Sequence, residues 1–139
     1  MIELGRLHHV SICVGDLDAS RHFYCDVLGM DEVKRPLTFQ FKGQWFRKNG
    51  YEIHTIYQDA AGQIPGDAEN IIKPDRDITF ARHFCFSVND VAETVKILAE
   101  NDIELIAGPR SRGDGATQMY VYDPDGHMVE LVYEPWDWT

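Results

Sequence analysis

No apolar run in this 139-residue chain approaches the roughly 20 residues needed to cross a bilayer, so a helical membrane anchor is not expected. Its first residues, Met-Ile-Glu-Leu-Gly-Arg, lack a cationic stretch followed by an apolar one, so no secretory leader is expected. Cysteine is scarce: Cys13, Cys25 and Cys85 form no CxxC pair and leave an odd count. They suit a reducing, cytoplasmic setting better than a disulfide framework. Positive charge is also short, with 13 Lys and Arg against 23 Asp and Glu. A net charge of −10 disfavours nucleic acid and anionic membrane as partners and leaves a small-molecule substrate. No low-complexity segment interrupts the chain.

What is present is a repeat. His9-Val10-Ser11-Ile12-Cys13-Val14-Gly15-Asp16-Leu17 is answered by His83-Phe84-Cys85-Phe86-Ser87-Val88-Asn89-Asp90-Val91 at an offset of 74. Gly50-Tyr51-Glu52-Ile53-His54-Thr55-Ile56-Tyr57 is answered by Gly126-His127-Met128-Val129-Glu130-Leu131-Val132-Tyr133 at an offset of 76. His9 therefore corresponds to His83, and His54 to Glu130. Three imidazoles and a carboxylate at related positions suggest one metal served by two like modules.

Each copy opens on an alternating, β-rich stretch. Val10, Ile12 and Val14 share one strand face, and His9, Ser11 and Cys13 the other. The second copy divides the same way, with Phe84, Phe86 and Val88 opposite His83, Cys85 and Ser87. A helix should follow each strand. Asp16 or Asp18 caps the first, whose stripe is Leu17, Ser20, Phe23, Tyr24, Val27 and Leu28 before Gly29. Asp90 caps the second, with Val91, Val95, Leu98 and Ala99 as its stripe. Three strands are expected after each helix, near 31–35, 39–48 and 51–58, then near 103–106, 116–122 and 127–133. The fold class is therefore α+β: two βαβββ modules, 1–58 and 79–139, with curved mixed sheets around a shared metal cleft. Residues 59–78, with Gly62, Pro65, Gly66 and Pro74, read as the linker. Ser111-Arg112-Gly113-Asp114-Gly115 reads as a mobile loop.

A βαβββ unit used twice, with Leu7-His8-His9-Val10, Phe23-Tyr24, Leu28-Gly29-Met30 and Asp123-Pro124-Asp125-Gly126-His127-Met128-Val129-Glu130-Leu131, resembles the vicinal oxygen chelate superfamily. That superfamily includes glyoxalases, bleomycin-resistance proteins and extradiol dioxygenases. The resemblance implies metal ligands at His9, His54, His83 and Glu130. Glyoxalase I usually carries Glu where this chain has His54, so the chain departs from that pattern. A homodimer is expected, since a chain of this size leaves a large sheet edge or open cleft face that needs cover, and the resemblance implies modules exchanged between chains.

Each residue also has a plainer role open to it. Glu130, in an apolar strand, can be an ion-paired structural carboxylate instead of a ligand. His54 can contact substrate or support a ligand. Glu52, on the same strand face, is a ligand, a base or a solvated acid. His8 points away by parity. His22 and His127 read as surface or turn residues, and Cys13 and Cys85 as small wall residues. Phe39, Phe41, Trp45 and Tyr120 can line a pocket, and Arg110 and Arg112 can meet an anion.

An imidazole-rich set with one carboxylate suits Zn, Ni, Co, Fe or Mn as the divalent ion. Such an ion with open positions stabilises an enediolate formed by proton abstraction, with Glu130 or Glu52 as base. The expected activity is a glyoxalase-like lyase or isomerase acting on a small substrate chelated through vicinal oxygens. The alternatives are an Fe(II) dioxygenase using His9, His83 and Glu130, and a non-catalytic antibiotic-binding protein.

Overall fold

The structure, a computed structural model, describes residues 1, 3–58, 77–78 and 81–136. The chain divides into two compact units, Met1–Ile71 and Ile72–Thr139. The expected linker, 59–78, lies almost wholly outside the described residues.

The first unit runs β1 (His9–Val14), α1 (Leu17–Arg21), a wider π-helical segment (His22–Val27), β2 (Asp31–Val33), β3 (Gly43–Lys48) and β4 (Tyr51–Tyr57). Its sheet order is β1-β4-β3-β2, with β1 parallel to β4 and the other pairs antiparallel. The second unit repeats this with β5 (His83–Val88), α2 (Val91–Glu100), β6 (Ala107–Ser111), β7 (Thr117–Tyr122) and β8 (Met128–Tyr133). Its order is β5-β8-β7-β6, with β5 parallel to β8. Both sheets are mixed and open. The fold is α+β, as the repeat implies.

Local chemistry sets these elements. Asp16 Oδ1 accepts from the backbone N–H groups of Asp18 and Ala19 at 3.0 and 2.9 Å, which starts α1. Leu28 N–H then reaches back five residues to Phe23 C=O at 3.0 Å. The widened turn lets adjacent Phe23 and Tyr24 both be buried, and Tyr24 stacks on Phe46 of β3 at 5.4 Å. Gly29, at φ +69°, ends the segment. The Asn49-Gly50 hairpin turn has φ of 46° and 82°, the two positive values a tight two-residue turn demands. In the second unit Asp90 Oδ1 caps α2 through Glu93 N–H at 2.8 Å. Buried Asp123 accepts from Asp125 N–H at 2.9 Å and His127 N–H at 2.8 Å, which closes the turn before β8. His127 is thus buried at the end of that turn instead of lying on the surface. Apolar cores form behind each sheet, with Ile12, Val14, Phe46 and Ile53 in one and Met119, Val121, Val129 and Leu131 in the other. Each such side chain contributes about 1.5–3 kcal/mol on burial.

Two strands differ from expectation. Residues 39–42 lie outside β3, and there Arg35 Nη1 donates to Phe41 C=O and Gly43 C=O at 2.9 and 3.0 Å. Those carbonyls are drawn to the guanidinium, which also lies under the Phe39 and Phe41 rings. The strand expected near 103–106 instead forms at Ala107–Ser111, across Gly108-Pro109. Both residues read as breakers, but β6 is a sheet edge and carries a register shift between Ala107 and Arg110. An edge with a bulge tolerates a missing N–H. Ser111 therefore belongs to a strand, not to a loop.

A Cβ on Gly43 would overlap the Thr55 carbonyl oxygen across β3 and β4, whereas one on Gly50 would meet open space. Gly50→Ala should cost about 1–2 kcal/mol for its left-handed backbone. Gly43→Ala should lower the urea midpoint further. Equal midpoints would contradict the β3–β4 register.

Candidate functional site

The parallel pairing of β5 with β8 sets Cys85 beside Glu130. His83 lies two residues before Cys85, on the same strand face, so its ring reaches the same carboxylate. His83 Nε2 lies 3.0 Å from Glu130 Oε2. The other ring nitrogen, Nδ1, is 2.7 Å from Ala81 C=O. A carbonyl only accepts, so Nδ1 carries the proton of that bond. Nε2 is left facing a carboxyl oxygen, and either a proton, carried by one of the two partners, or a cation must lie between them.

Glu130 is 7% exposed, and its second oxygen is also tied. Gln118 Nε2 donates to Oε1 at 3.0 Å and to the Tyr120 hydroxyl at 3.1 Å. Tyr120 lies edge-on to His83 at 5.7 Å. Burial, then the Glu130 charge, pushes its phenol pKa up. Cys85 is open to solvent at its surface, yet enough protein surrounds the sulfur that burial, then Glu130, pushes the thiol up to about 12. It remains protonated, as suits a wall residue and not a thiolate ligand.

The first unit has the same register with different chemistry. Ser11 lies beside His54 in the place where Cys85 lies beside Glu130. Trp45 is opposite His54 where Tyr120 is opposite Glu130. His54 thus holds the carboxylate's position, and the next partners in the ladders are His9 with Glu52 and His83 with Met128. The His54 ring sits between two others. Trp45 stacks on it at 4.1 Å and 5°, and His9 at 4.1 Å and 12°. His54 Nε2 is 2.6 Å from Glu52 Oε2. Glu52 Oε1 takes Arg47 Nε at 2.7 Å. Burial alone would raise the Glu52 pKa, but the His54 and Arg47 contacts outweigh it and hold the carboxyl below its usual range. Burial, then the His54 and His8 imidazoles, lowers the His9 pKa against the pull of Glu52.

The expected residues therefore meet in two groups: His9, His54 and Glu52 in one unit, His83 and Glu130 in the other. Among the described residues, no three His, Cys, Asp or Glu side chains are grouped so as to hold an ion as they stand. The His9–His54 stack shows one reason. Ring lone pairs lie in the ring plane, and two nearly parallel rings direct them side by side. For both to contact one ion near ~2.0–2.2 Å, one ring must turn about its side-chain bonds. Glu52, expected as a base, has a partner on each oxygen. His8, expected to point away by parity, instead turns its ring to His9 at the exposed start of the strand, with 2.8 Å between the two Nδ1 atoms. His22 is exposed and paired with Asp26. Arg110 is held by Asp77, and Arg112 by Asp114 and Glu134. Gln118 and Arg47 escape a reading of the sequence alone, although both lie on strands beside the acids they hold. Gln118→Leu should leave buried Glu130 one partner short and cost about 1–3 kcal/mol in urea unfolding. An unchanged midpoint would remove Gln118 from the site.

The chain matches the model of the Glyoxalase/Bleomycin resistance protein/Dioxygenase superfamily over residues 6–131. It is 29% identical over 131 residues to Glyoxylase I 4 of Arabidopsis thaliana, covering 94% of this chain and 71% of that protein. It is 28% identical over 139 residues to the lactoylglutathione lyase of Escherichia coli O157:H7, covering 93% of each chain. A crystal structure of a glyoxalase/dioxygenase from Nostoc punctiforme superposes with a TM-score of 0.75 at 28% identity, covering 94% of this chain and 92% of that one. Repeat, sheet order and sequence match agree: the chain belongs to the Glyoxalase/Bleomycin resistance protein/Dioxygenase superfamily.

Proposed function

We propose that this protein is a metal-dependent lyase or isomerase of the glyoxalase type, acting on a small substrate chelated through vicinal oxygens. The observation that carries this reading is the His83–Glu130 pair. An imidazole with Nδ1–H fixed on a backbone carbonyl, and with Nε2 aimed at a carboxylate oxygen, supports this reading because a cation can take the place of the proton between them. His9 and His54 are the remaining ligands in this reading. The imidazole-rich set suits a divalent Zn, Ni, Co, Fe or Mn ion. Such an ion, when bound, supplies Lewis acidity to a chelated carbonyl.

The protein's own groups carry the proton. Glu130, if its Oε2 is released by the ion, would take the proton of the substrate C–H next to the carbonyl; the C–H pair becomes the C=C bond of an enediolate and the carbonyl π pair moves onto its oxygen. Glu130 would then return the proton to the former carbonyl carbon, while the hydroxyl proton of the first carbon passes to the other oxygen and leaves a carbonyl behind. Gln118, bonded to Oε1, keeps the carboxylate from rotating during both transfers. Glu52 is a weaker choice of base, because Arg47 and His54 stabilise its charged form.

One observation favours a second reading. If the His9–His54 stack persists on loading, His54 stays off the metal. His9, His83 and Glu130 then form the two-His, one-carboxylate set used with Fe(II) and oxygen.

Glu130→Gln should lower Zn²⁺ affinity by more than about 100-fold, beyond the usual cost of an outer-shell change, and abolish turnover. His8→Gln should do neither. Stoichiometric metal in Glu130→Gln would refute the assignment. Turnover is read by NMR in deuterated water with Ni, Co, Mn and Zn in turn, using thiohemiacetals of 2-oxoaldehydes, 2-hydroxy ketones and acyl thioesters. Deuterium should enter next to the carbonyl while oxygen stays constant. Oxygen uptake with Fe(II) and a catechol would favour the dioxygenase instead. Metal binding without either reaction would leave a metal-binding member of the superfamily whose substrate was not among those tried, whereas no metal binding at all would favour the binding protein.

A further inference from the structure

The two units place different residues at one position of the sheet, and the difference is paired. In the second unit the carboxylate itself, Glu130, stands beside Cys85. In the first unit an imidazole, His54, stands beside Ser11, and a carboxylate lies two residues earlier on the same strand. Glu52 replaces the apolar Met128 of the second ladder, and Arg47, opposite Glu52, replaces Tyr122, opposite Met128. The two charged residues thus occur together in one unit and are both absent from the matching places in the other.

Their contacts join them to the imidazole in series. Arg47 Nε and Nη2 both reach Glu52 Oε1, at 2.7 and 2.5 Å. His54 Nε2 is on Glu52 Oε2 at 2.6 Å. Glu52 and His54 are only 6% and 8% exposed, whereas the Arg47 side chain is 55% exposed. The guanidinium therefore anchors one oxygen from the solvent side, and the other oxygen is left for the ring. A carboxylate in this place accepts Nε2–H and so leaves Nδ1 with the lone pair. Trp45 on one ring face limits rotation of the imidazole.

We propose that Glu52, anchored by Arg47, is a positioning residue that fixes the His54 ring with Nε2–H on the carboxylate and Nδ1 free for a metal ion. The negative charge that the second unit places directly at this position is set one step behind the imidazole in the first. This rests on the reading above in which His54 is a ligand. It assigns Glu52 no proton transfer with substrate.

Two measurements test it on the full-length protein. In the metal-free state, long-range ¹H–¹⁵N NMR should show a downfield, slowly exchanging Nε2–H on His54. That signal should vanish in Glu52→Met, which installs the counterpart residue of the second unit. Zn²⁺ affinity, read by competition with a chelating dye, should fall about 10–100-fold in Glu52→Met. Glu52→Gln keeps the shape and an acceptor without the charge, so it should fall between wild type and Glu52→Met. It also serves as the test variant if Glu52→Met does not fold. His54→Ala separates the two claims. If it binds Zn²⁺ as wild type does, the ligand assignment of His54 fails, whatever Glu52 does. If it weakens binding while both Glu52 variants match wild type, His54 remains a ligand and the positioning role of Glu52 is overturned.

Discussion

In each unit the first strand lies parallel to the last, and the site geometry depends on that pairing. A parallel pair cannot be joined by a tight turn, so the helix and two further strands must intervene. The pairing sets the small polar face of β1 beside β4, and that of β5 beside β8. Ser11 and Cys85 are small, so the neighbouring His54 and Glu130 are not crowded from that side. A slip of one residue in the register of β4 or β8 would send His54 or Glu130 to the opposite sheet face.

The same backbone carries two chemical solutions. In the second unit the acid is on the strand, and its imidazole comes from the paired strand. Ala81 orients that imidazole, and Gln118 orients the acid. In the first unit the imidazole is on the strand, and its acid comes from two residues earlier, fixed by Arg47. Buried carboxylates are costly unless fully partnered. Glu130 and Glu52 each have a partner on both oxygens. The aromatic opposite each position also differs, with Trp45 lying flat on His54 and Tyr120 edge-on to His83.

Much of this is written in the order of the residues. The offsets of 74 and 76 predict that Ser11–His54 and Cys85–Glu130 are equivalent, and both ladders show it. Side-chain parity places Glu52 with His54, and the contact at 2.6 Å follows. What escapes a linear reading depends on three-dimensional partners. Ala81 acts through a backbone carbonyl, which has no residue signature. Gln118 and Arg47 act across antiparallel neighbours, so their roles need the register. Gly108-Pro109 looks like a breaker, and only its place at a sheet edge makes it a strand. The run 39–42 looks like a strand, yet β3 begins only at Gly43, where Arg35 gathers the Phe41 and Gly43 carbonyls. The widened turn at His22–Val27 is likewise invisible to a period of 3.6.

The proposal that most needs testing is that His9, His54, His83 and Glu130 bind one ion. X-ray absorption at the zinc edge, on protein loaded to saturation, counts the imidazoles around the metal and, with total metal analysis, the ions per chain. The account predicts one zinc per chain with three imidazoles and one carboxylate, falling to two imidazoles in His9→Ala, His54→Ala and His83→Ala alike. Two zinc ions per chain, each with the imidazole of a separate half, would contradict it.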